Sequence, residues 1–267
     1  MNLALVPVFL ALGAFVGFLA GLLGIGGGFT IVPVLVEVFA RQGVDSSHLM
    51  PLAIGTSAAT ICFTAFASAR AHHKRGAVAW PVVWAMAPGL VIGSLVGAQV
   101  ASALPMRVMA ACFGSFTWLT AAQMLRNAQP HPTRELPGQI AMFAMGSLIG
   151  LVAGMVGTGG AFLAVPFMTR CNVRVHTAVA TSAAIGWPVA VAATIGYVIA
   201  GWRHEGLPAH SIGYVNLPAL LCIAAATMML APVGAKVAHA WPVARLKRAF
   251  ALMLFVLGAW MWVKALA

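Results

Sequence analysis

The chain has 267 residues, of which 62% are hydrophobic and only 7% are charged, and its formal net charge is +11. A soluble domain carries about 25% charged residues, so this composition excludes a soluble globular protein. The basic residues lie in short stretches between apolar runs and form no face that could follow a phosphate backbone, which argues against nucleic acid as a partner. They are instead typical of the cytoplasmic loops of a membrane protein.

Apolar segments of about membrane-spanning length follow one another along the whole chain, with short polar breaks between them. The eight segments are residues 3–40, 49–69, 78–103, 106–125, 138–169, 176–200, 212–238 and 243–265. The first lacks a basic stretch before a cleavage site, so we interpret it as a retained membrane segment. The sequence therefore predicts an all-α, multi-pass integral membrane protein that forms one transmembrane domain in the lipid bilayer.

Two of these segments are too long for a single crossing, and each contains a glycine cluster. The clusters read GFLAGLLGIGGGFTIVP at residues 17–33 and GLVAGMVGTGGAFLAVP at residues 150–166. A shift of 133 residues superimposes five glycines, the phenylalanine and the final proline of the two clusters, and it places Ala161 opposite Gly28. Such a cluster favours a break in the helix, because glycine adopts unusual backbone angles without a Cβ penalty.

The match between the two parts of the chain continues beyond the clusters. The motif Thr-Ser-Ala-Ala at residues 56–59 recurs at residues 181–184, and the polar stretch 127–137 falls near the midpoint. We predict two internal repeats, residues 1–127 and 128–267, of about four segments each. Each repeat is expected to start with a glycine-broken helix, either re-entrant or discontinuous. Internal repeats of this kind build many transporter folds.

The charged loops favour an inverted relation between the repeats. If all eight segments cross once, the repeats are parallel, and the fifteen Lys and Arg residues divide seven against eight between the two faces. If the two glycine-broken segments turn back, the repeats are inverted, and the same residues divide eleven against four. The second division is the bias expected of a membrane protein. It places both termini outside, with Arg41, Arg107, Arg203 and Lys264 on the weakly basic face.

The glycine clusters are also the best candidates for a substrate site. A helix that begins after a break inside the bilayer offers free N–H groups and a positive dipole end, which suit an anion. The threonine and serine pairs downstream could donate hydroxyl hydrogen bonds to it. The predicted substrate-binding residues are Gly26, Gly27, Gly28, Phe29, Thr56, Ser57, Gly159, Gly160, Ala161, Phe162, Thr181 and Ser182. The alternative is structural, with glycines in close helix packing and hydroxyls bonded to helix backbones.

Other chemistry finds little support in the sequence. The four cysteines are far apart, so metal or disulfide chemistry is not expected. Glu37 is the one acid within an apolar run, where it could act at membrane depth or pair with Arg41 four residues on. No combination of acid, base and nucleophile indicates an enzyme. We predict no enzymatic activity, no cofactor and no metal.

The duplicated glycine element, the Thr-Ser-Ala-Ala motifs and the closing run PVARLKRAF at residues 242–250 resemble the TauE/SafE family of sulfite-exporter-like permeases. The resemblance covers nearly the whole chain. It implies a secondary transporter in the cell (inner or plasma) membrane that exports sulfite, sulfoacetate, another organosulfonate or a related sulfur oxyanion. The alternatives are an anion channel-like facilitator and a non-transporting membrane subunit. The sequence does not decide the oligomeric state, and a homo-oligomer is one arrangement that it allows.

Overall fold

A computed structural model describes residues 5–23, 27–126, 135–204, 206–238 and 243–266. These residues form ten helices and one short antiparallel hairpin. The helices are α1 (Val6–Leu23), α2 (Gly28–Arg41), α3 (Ser46–Lys74), α4 (Trp80–Ala103), α5 (Met106–Arg126), α6 (Gln139–Val156), α7 (Ala161–Arg170), α8 (Val175–Gly201), α9 (Leu217–Ala238) and α10 (Val243–Leu266). The strands β1 (Ser211–Ile212) and β2 (Val215–Asn216) pair directly before α9.

The helices confirm the prediction of an all-α membrane protein. Within the described residues, α3, α4, α5, α6, α8 and α10 contain stretches that are long and apolar enough to cross a bilayer. The predicted segments 3–40 and 138–169 each contain two helices. One segment was predicted wrongly at its start, because residues 212–216 belong to the hairpin and α9 begins only at Leu217.

The interruption between α6 and α7 has a clear local cause. Gly157 follows α6 with a φ of 67°, and Gly160 precedes α7 with a φ of 72°. Both values lie in the left-handed region, which glycine adopts without the steric cost that a side chain brings. The chain is therefore not helical over the four residues from Gly157 to Gly160. In the first half, residues 24–26 lie outside the described residues, and α2 begins at Gly28.

Glycines also bring the two sequence halves into close contact. A Cβ atom on Gly17 of α1 would lie 2.6 Å from the Cα of Thr227 in α9. A Cβ atom on Gly150 of α6 would lie 2.3 Å from the carbonyl oxygen of Leu90 in α4. Only glycine permits backbones to approach this closely. The first helix of each half thus packs against the fourth helix of the other half.

Contacts between distant residues place the loops at two ends of the molecule. Glu37 accepts from Arg41 Nε at 2.9 Å and lies 3.2 Å from Lys264 Nζ, so Arg41 and Lys264 share one end. Eight single crossings would put these two basic residues on opposite faces. At the other end, Val78 and Val173 pack against the same hydrophobic cluster. The N–H of Ala79, directly before α4, donates to Thr181 near the start of α8, so the starts of α4 and α8 lie at the same end of the molecule.

Candidate functional site

The N-termini of α2 and α7 meet inside the protein. A Cβ atom on Gly28, the first residue of α2, would lie 2.4 Å from the carbonyl oxygen of Gly157. The rings of Phe29 and Phe162, near the start of the two helices, stand edge to face with centroids 5.5 Å apart. Both phenylalanines are buried. We refer to residues 27–29 together with residues 157–162 as the glycine junction.

The glycine junction lies about halfway along the two longest helices. In α3, which covers Ser46–Lys74, the hydroxyl of Ser57 donates to the carbonyl oxygen of Gly157 at 3.3 Å. In α8, which covers Val175–Gly201, Gly186 faces Gly159, and a Cβ atom on Gly159 would lie 3.6 Å from the Cα of Gly186. The junction therefore lies far from both ends of two helices that are long and apolar enough to cross a bilayer.

Both helix starts present amide groups that precede the helical hydrogen-bond ladder. The carbonyl oxygen of Gly27 accepts from Thr30 N and Ile31 N at 3.0 Å each. The carbonyl oxygen of Gly160 accepts from Leu163 N at 3.1 Å and from Ala164 N at 3.0 Å. The amides of the first helical residues thus have no partner within their own helix. The aligned peptide dipoles add partial positive charge at the same point, which favours an anion.

The predicted threonines bind the protein backbone. Thr56 Oγ1 accepts from the N–H of Asn216 at 3.0 Å, and Thr181 Oγ1 accepts from the N–H of Ala79 at 2.9 Å. Asn216 precedes α9 and Ala79 precedes α4, so each threonine holds the start of a helix from the other half. Ser182 donates to the carbonyl oxygen of Val179 within its own helix at 2.8 Å. Contact between these three hydroxyls and a substrate stays a prediction.

The structure thus groups only part of the predicted site. The residues that it brings to the glycine junction are Gly27, Gly28, Phe29, Ser57, Gly159, Gly160, Ala161 and Phe162. Thr56, Thr181 and Ser182 are buried nearby on α3 and α8, but their hydroxyls have the partners given above. Gly26 lies outside the described residues.

One polar residue of the junction is absent from the predicted set. Thr158 lies between Gly157 and Gly159, its side chain is 5% exposed, and its Oγ1 has no hydrogen-bond partner among the described residues. The sequence contains a signal for it, because the shift of 133 residues pairs Thr158 with Ile25. A hydroxyl stands where the other repeat has an apolar side chain, and that difference could have marked the position.

Glu37, the one acid within an apolar run, lies in an ion-pair network at one end of the molecule. Glu37 forms the ion pairs with Arg41 and Lys264, and its side chain is 32% exposed, in agreement with the pairing interpretation rather than the mid-membrane one. The buried polar residues of the described part are threonines, serines and one asparagine. Within that part, no three His, Cys, Asp or Glu side chains come together in a group that could hold a metal ion.

A second polar cluster joins the start of α3 to the loop before α9. His48 Nδ1 and the Tyr214 hydroxyl oxygen lie 3.0 Å apart. The ring of His204 lies 5.2 Å from that of His48 and 5.4 Å from that of Tyr214, measured between centroids. Burial raises the pKa of Tyr214 above its ordinary value, because an apolar environment disfavours the phenolate. Tyr214 therefore stays neutral and able to donate at physiological pH.

Comparisons with known proteins agree with this architecture. Residues 9–261 match the family model described as sulfite exporter TauE/SafE. A probable membrane transporter protein of Haemophilus influenzae is 34% identical over 256 residues, which cover 96% of this chain and 97% of that protein. A probable membrane transporter protein of Methanocaldococcus jannaschii is 26% identical over 88% of this chain and 87% of its own length. No solved structure matches at a significant level. The chain belongs to the TauE/SafE family and is a multi-pass membrane transporter, not an enzyme.

Proposed function

We propose that this transporter is a secondary exporter of a small sulfur anion, which binds between the two helix breaks at the glycine junction. The substrate class is sulfite, sulfoacetate, another organosulfonate or a sulfur oxyanion. The observation that carries the proposal is the meeting of two helix N-termini, at Gly28 and Ala161, about halfway along α3 and α8. The family description as a sulfite exporter supports the choice of anion.

An anion suits the chemistry of the junction better than a cation does. Each helix start contributes backbone donors and a positive dipole end. Cation pathways are lined by rings of acidic side chains, whereas the buried polar residues of the described part are hydroxyl and amide residues. Export is also downhill for an anion, since a potential that is negative inside drives each charge outward by about 2.3 kcal/mol per 100 mV.

The junction is closed in this conformation. The contact between Gly28 and the Gly157 carbonyl leaves no space for a side chain at that point, and the phenylalanine rings stand directly beside it. The breaks must therefore separate for a substrate to enter. Such a closed contact between two substrate-bearing elements fits an alternating-access transporter better than a permanently open channel-like facilitator. Stimulation of flux by substrate on the opposite side of the membrane would distinguish the two, since only alternating access produces it.

We further infer that the two repeats are inverted, in the inner or plasma membrane, with both termini outside. The shared end of Arg41 and Lys264 supports this arrangement. Single cysteines at these two positions should react with an impermeant thiol reagent from outside intact cells. A cysteine at Arg174 should react only after the cells are opened. Equal labelling of Arg41→Cys and Arg174→Cys from outside would contradict the inverted arrangement.

Reconstituted vesicles test the transport proposal directly. The full chain should move sulfite or a small sulfonate, and Gly28→Val should abolish the flux, because the new Cβ would meet the Gly157 carbonyl. Gly138→Val is the matched control, since a Cβ atom there meets no atom within 4 Å. Size-exclusion profiles separate a transport defect from misfolding. Absence of flux for every sulfur anion tested with the unaltered chain would refute the substrate class.

A further inference from the structure

The Thr158 hydroxyl is a buried donor that the folded chain leaves unused. Only three buried side-chain polar atoms of the described residues have no hydrogen-bond partner: Ser94 Oγ, Thr158 Oγ1 and Trp262 Nε1. A buried polar group without a hydrogen-bond partner destabilises the protein. Most buried polar groups in folded proteins therefore have a partner. An unpaired hydroxyl at a functional site therefore points to a partner that enters from outside the chain.

Thr158 does not use the partner that other buried threonines use. Thr60 and Thr117 donate to the helix carbonyl four residues earlier, at 2.9 Å and 2.7 Å. For Thr158 the corresponding carbonyl is that of Gly154, which accepts the Tyr197 hydroxyl at 3.0 Å and receives no hydrogen bond from Thr158. Thr158 also lies outside the helices, in the four-residue break. Its hydroxyl thus lacks the usual hydrogen bond to a carbonyl oxygen of its own helix.

The side chain of Thr158 lies against the start of α2. Its Cγ2 would be 3.1 Å from a Cβ atom on Gly28, where the amides precede the helical ladder. The walls around this point are apolar: Ile61 would lie 3.2 Å from the same Cβ atom, Ile54 contacts Gly157, and Phe29 is 1% exposed. The Thr158 side chain of the second half thus contacts a helix N-terminus of the first half, and the side chains around this contact are apolar.

We propose that Thr158 donates a hydrogen bond to an oxygen of an anion held at the N-terminus of α2, so that the ligand bridges the two halves. This inference rests on the proposed function and names the substrate class of the same site. The donors at this point are the Thr158 hydroxyl and the first amides of α2, the Gly157 carbonyl oxygen already accepts from Ser57, and no charged side chain is among the nearest neighbours of Gly28 or Gly157. Such a site takes an ion that is always deprotonated and has several acceptor oxygens on one side. A small alkanesulfonate matches it, since three oxygens meet the donors and the organic group meets the isoleucines and phenylalanine.

Sulfate and phosphate match the site less well. Each has four oxygens around the central atom, so one oxygen would face the apolar wall without a donor. A buried acceptor without a partner lowers affinity. The asymmetry between the repeats has the same consequence, because Ile25 in the first half offers no hydroxyl at the position that corresponds to Thr158. Of the two corresponding positions, only Thr158 in the second half therefore adds a hydroxyl to the amides of α2 as a donor to the ligand oxygens.

Thermal unfolding of the purified full chain with methanesulfonate tests this inference. Thr158→Val should weaken the apparent affinity by about tenfold to a hundredfold, the effect of one hydrogen bond to a charged group. Thr158→Ser should keep the affinity within a few-fold. Thr117→Val is the control, because Thr117 is buried in α5 and donates within its own helix. Without any anion, Thr158→Val should unfold at a higher temperature than the unaltered chain, since valine removes an unpaired polar atom of similar shape.

Three results would overturn the inference: unchanged methanesulfonate affinity in Thr158→Val, equal losses in Thr158→Val and Thr158→Ser, or no stabilisation of the unaltered chain by methanesulfonate. Sulfate should stabilise the unaltered chain less than methanesulfonate does, and the reverse order would contradict the substrate class. Vesicle flux separates this inference from the proposed function. If Thr158→Val leaves sulfite transport intact, only the role of Thr158 is refuted. If no sulfur anion is transported at all, the transport proposal is refuted, and the methanesulfonate affinities still test the role of Thr158.

Discussion

The loop before α4 and the loop before α9 form the same hydrogen bond within very different structures. Ala79 ends the first loop and donates its N–H to Thr181, and Asn216 ends the second and donates its N–H to Thr56. Each bond fixes the start of a helix to a long helix of the other half. The two loops thus share this bond between the halves, whereas the structure of the loop that carries the bond differs.

The loop before α9 is much more tightly held. Its hairpin packs on the end of α8, where Tyr214 N donates to the carbonyl oxygen of Tyr197 at 3.2 Å. Gly213 has a φ of 52°, and a Cβ atom on it would lie 2.3 Å from the Val198 carbonyl oxygen. The loop before α4 contains Gly76 with a φ of 65°, but a Cβ atom there meets no atom within 4 Å. One loop is therefore a packed element and the other a solvated turn.

The largest effect should come from alanine at these two left-handed glycines. Gly213→Ala combines left-handed strain with a backbone clash, and we expect it to lower the free energy of unfolding by about 3 kcal/mol or more. Gly76→Ala carries the strain alone and should cost about 1–2 kcal/mol. Chemical unfolding in detergent measures both. Equal effects of the two variants would remove the difference between the loops.

Substitution of the two threonines should cost similar amounts of stability, in contrast to the unequal costs at the two glycines. Thr56→Val and Thr181→Val each leave a buried backbone N–H without its acceptor, and each should cost about 1–3 kcal/mol. Because the two bonds correspond, we expect losses that agree within about 1 kcal/mol. The same unfolding measurement tests this. A large loss for one variant and none for the other would show that the two bonds are not equivalent.

The Asn216 side chain contributes to one loop only. Its Oδ1 accepts from Ala219 N in the first turn of α9 at 3.0 Å, and its Nδ2 lies 3.2 Å from Ser211 Oγ. Ala79 has no comparable side chain. Asn216→Ala should therefore cost about 1 kcal/mol, the usual value of a helix cap. A thermal midpoint unchanged from that of the unaltered chain would contradict this assignment.

The smallest effect concerns the starts of α3 and α8. Asp45 caps α3 by accepting from Ser47 N at 2.8 Å and Ser47 Oγ at 2.6 Å, whereas Arg174 before α8 forms no such cap. Hydrogen bonds from Ser47 hold the pKa of Asp45 below its ordinary value of 3.8. Its contribution to stability is therefore present above that value and is lost as the pH falls through the lower, folded-state pKa.

Asp45→Ala tests this assignment. The variant should unfold slightly earlier than the unaltered chain at pH 7, and the difference between the two should disappear in strong acid. Thermal midpoints over an acid series measure the difference. A difference that persists unchanged below the folded-state pKa would mean that the charge of Asp45 does not support α3.

The sequence predicted the membrane helices well, because hydropathy and segment length are enough to recognise them. It failed at residues 212–216, where Ile212, Tyr214 and Val215 continue an apolar run although they belong to a hairpin. Composition cannot separate these states over so few residues. The recurrence of the motif in the sequence also indicated Thr56 and Thr181, but it did not indicate their hydrogen-bond partners. Those partners lie more than 100 residues away in sequence, so only the tertiary fold identifies them.

At the candidate site, too, local features could be predicted from the sequence, whereas contacts between distant residues could not. The recurring glycines indicated where α2 and α7 begin, since a glycine cluster followed by a new apolar run is a local signal. That the two starts touch, and that Thr158 is left unpaired between them, depends on how α3 and α8 bring the breaks together. A search for recurring residues passes over Thr158, because it is a position at which the repeats differ.

The exchanged packing of α1 on α9 and of α6 on α4 limits how the molecule can move. Gly17 contacts the backbone of Thr227, and Gly150 contacts that of Leu90. Residues 1–127 therefore cannot move away from residues 128–267 without breaking both of these helix contacts. A relative motion that keeps both contacts intact would leave α1 together with α9 and α4 together with α6. The predicted boundary between the repeats, after residue 127, is therefore not a boundary at which the folded protein can separate while these contacts persist.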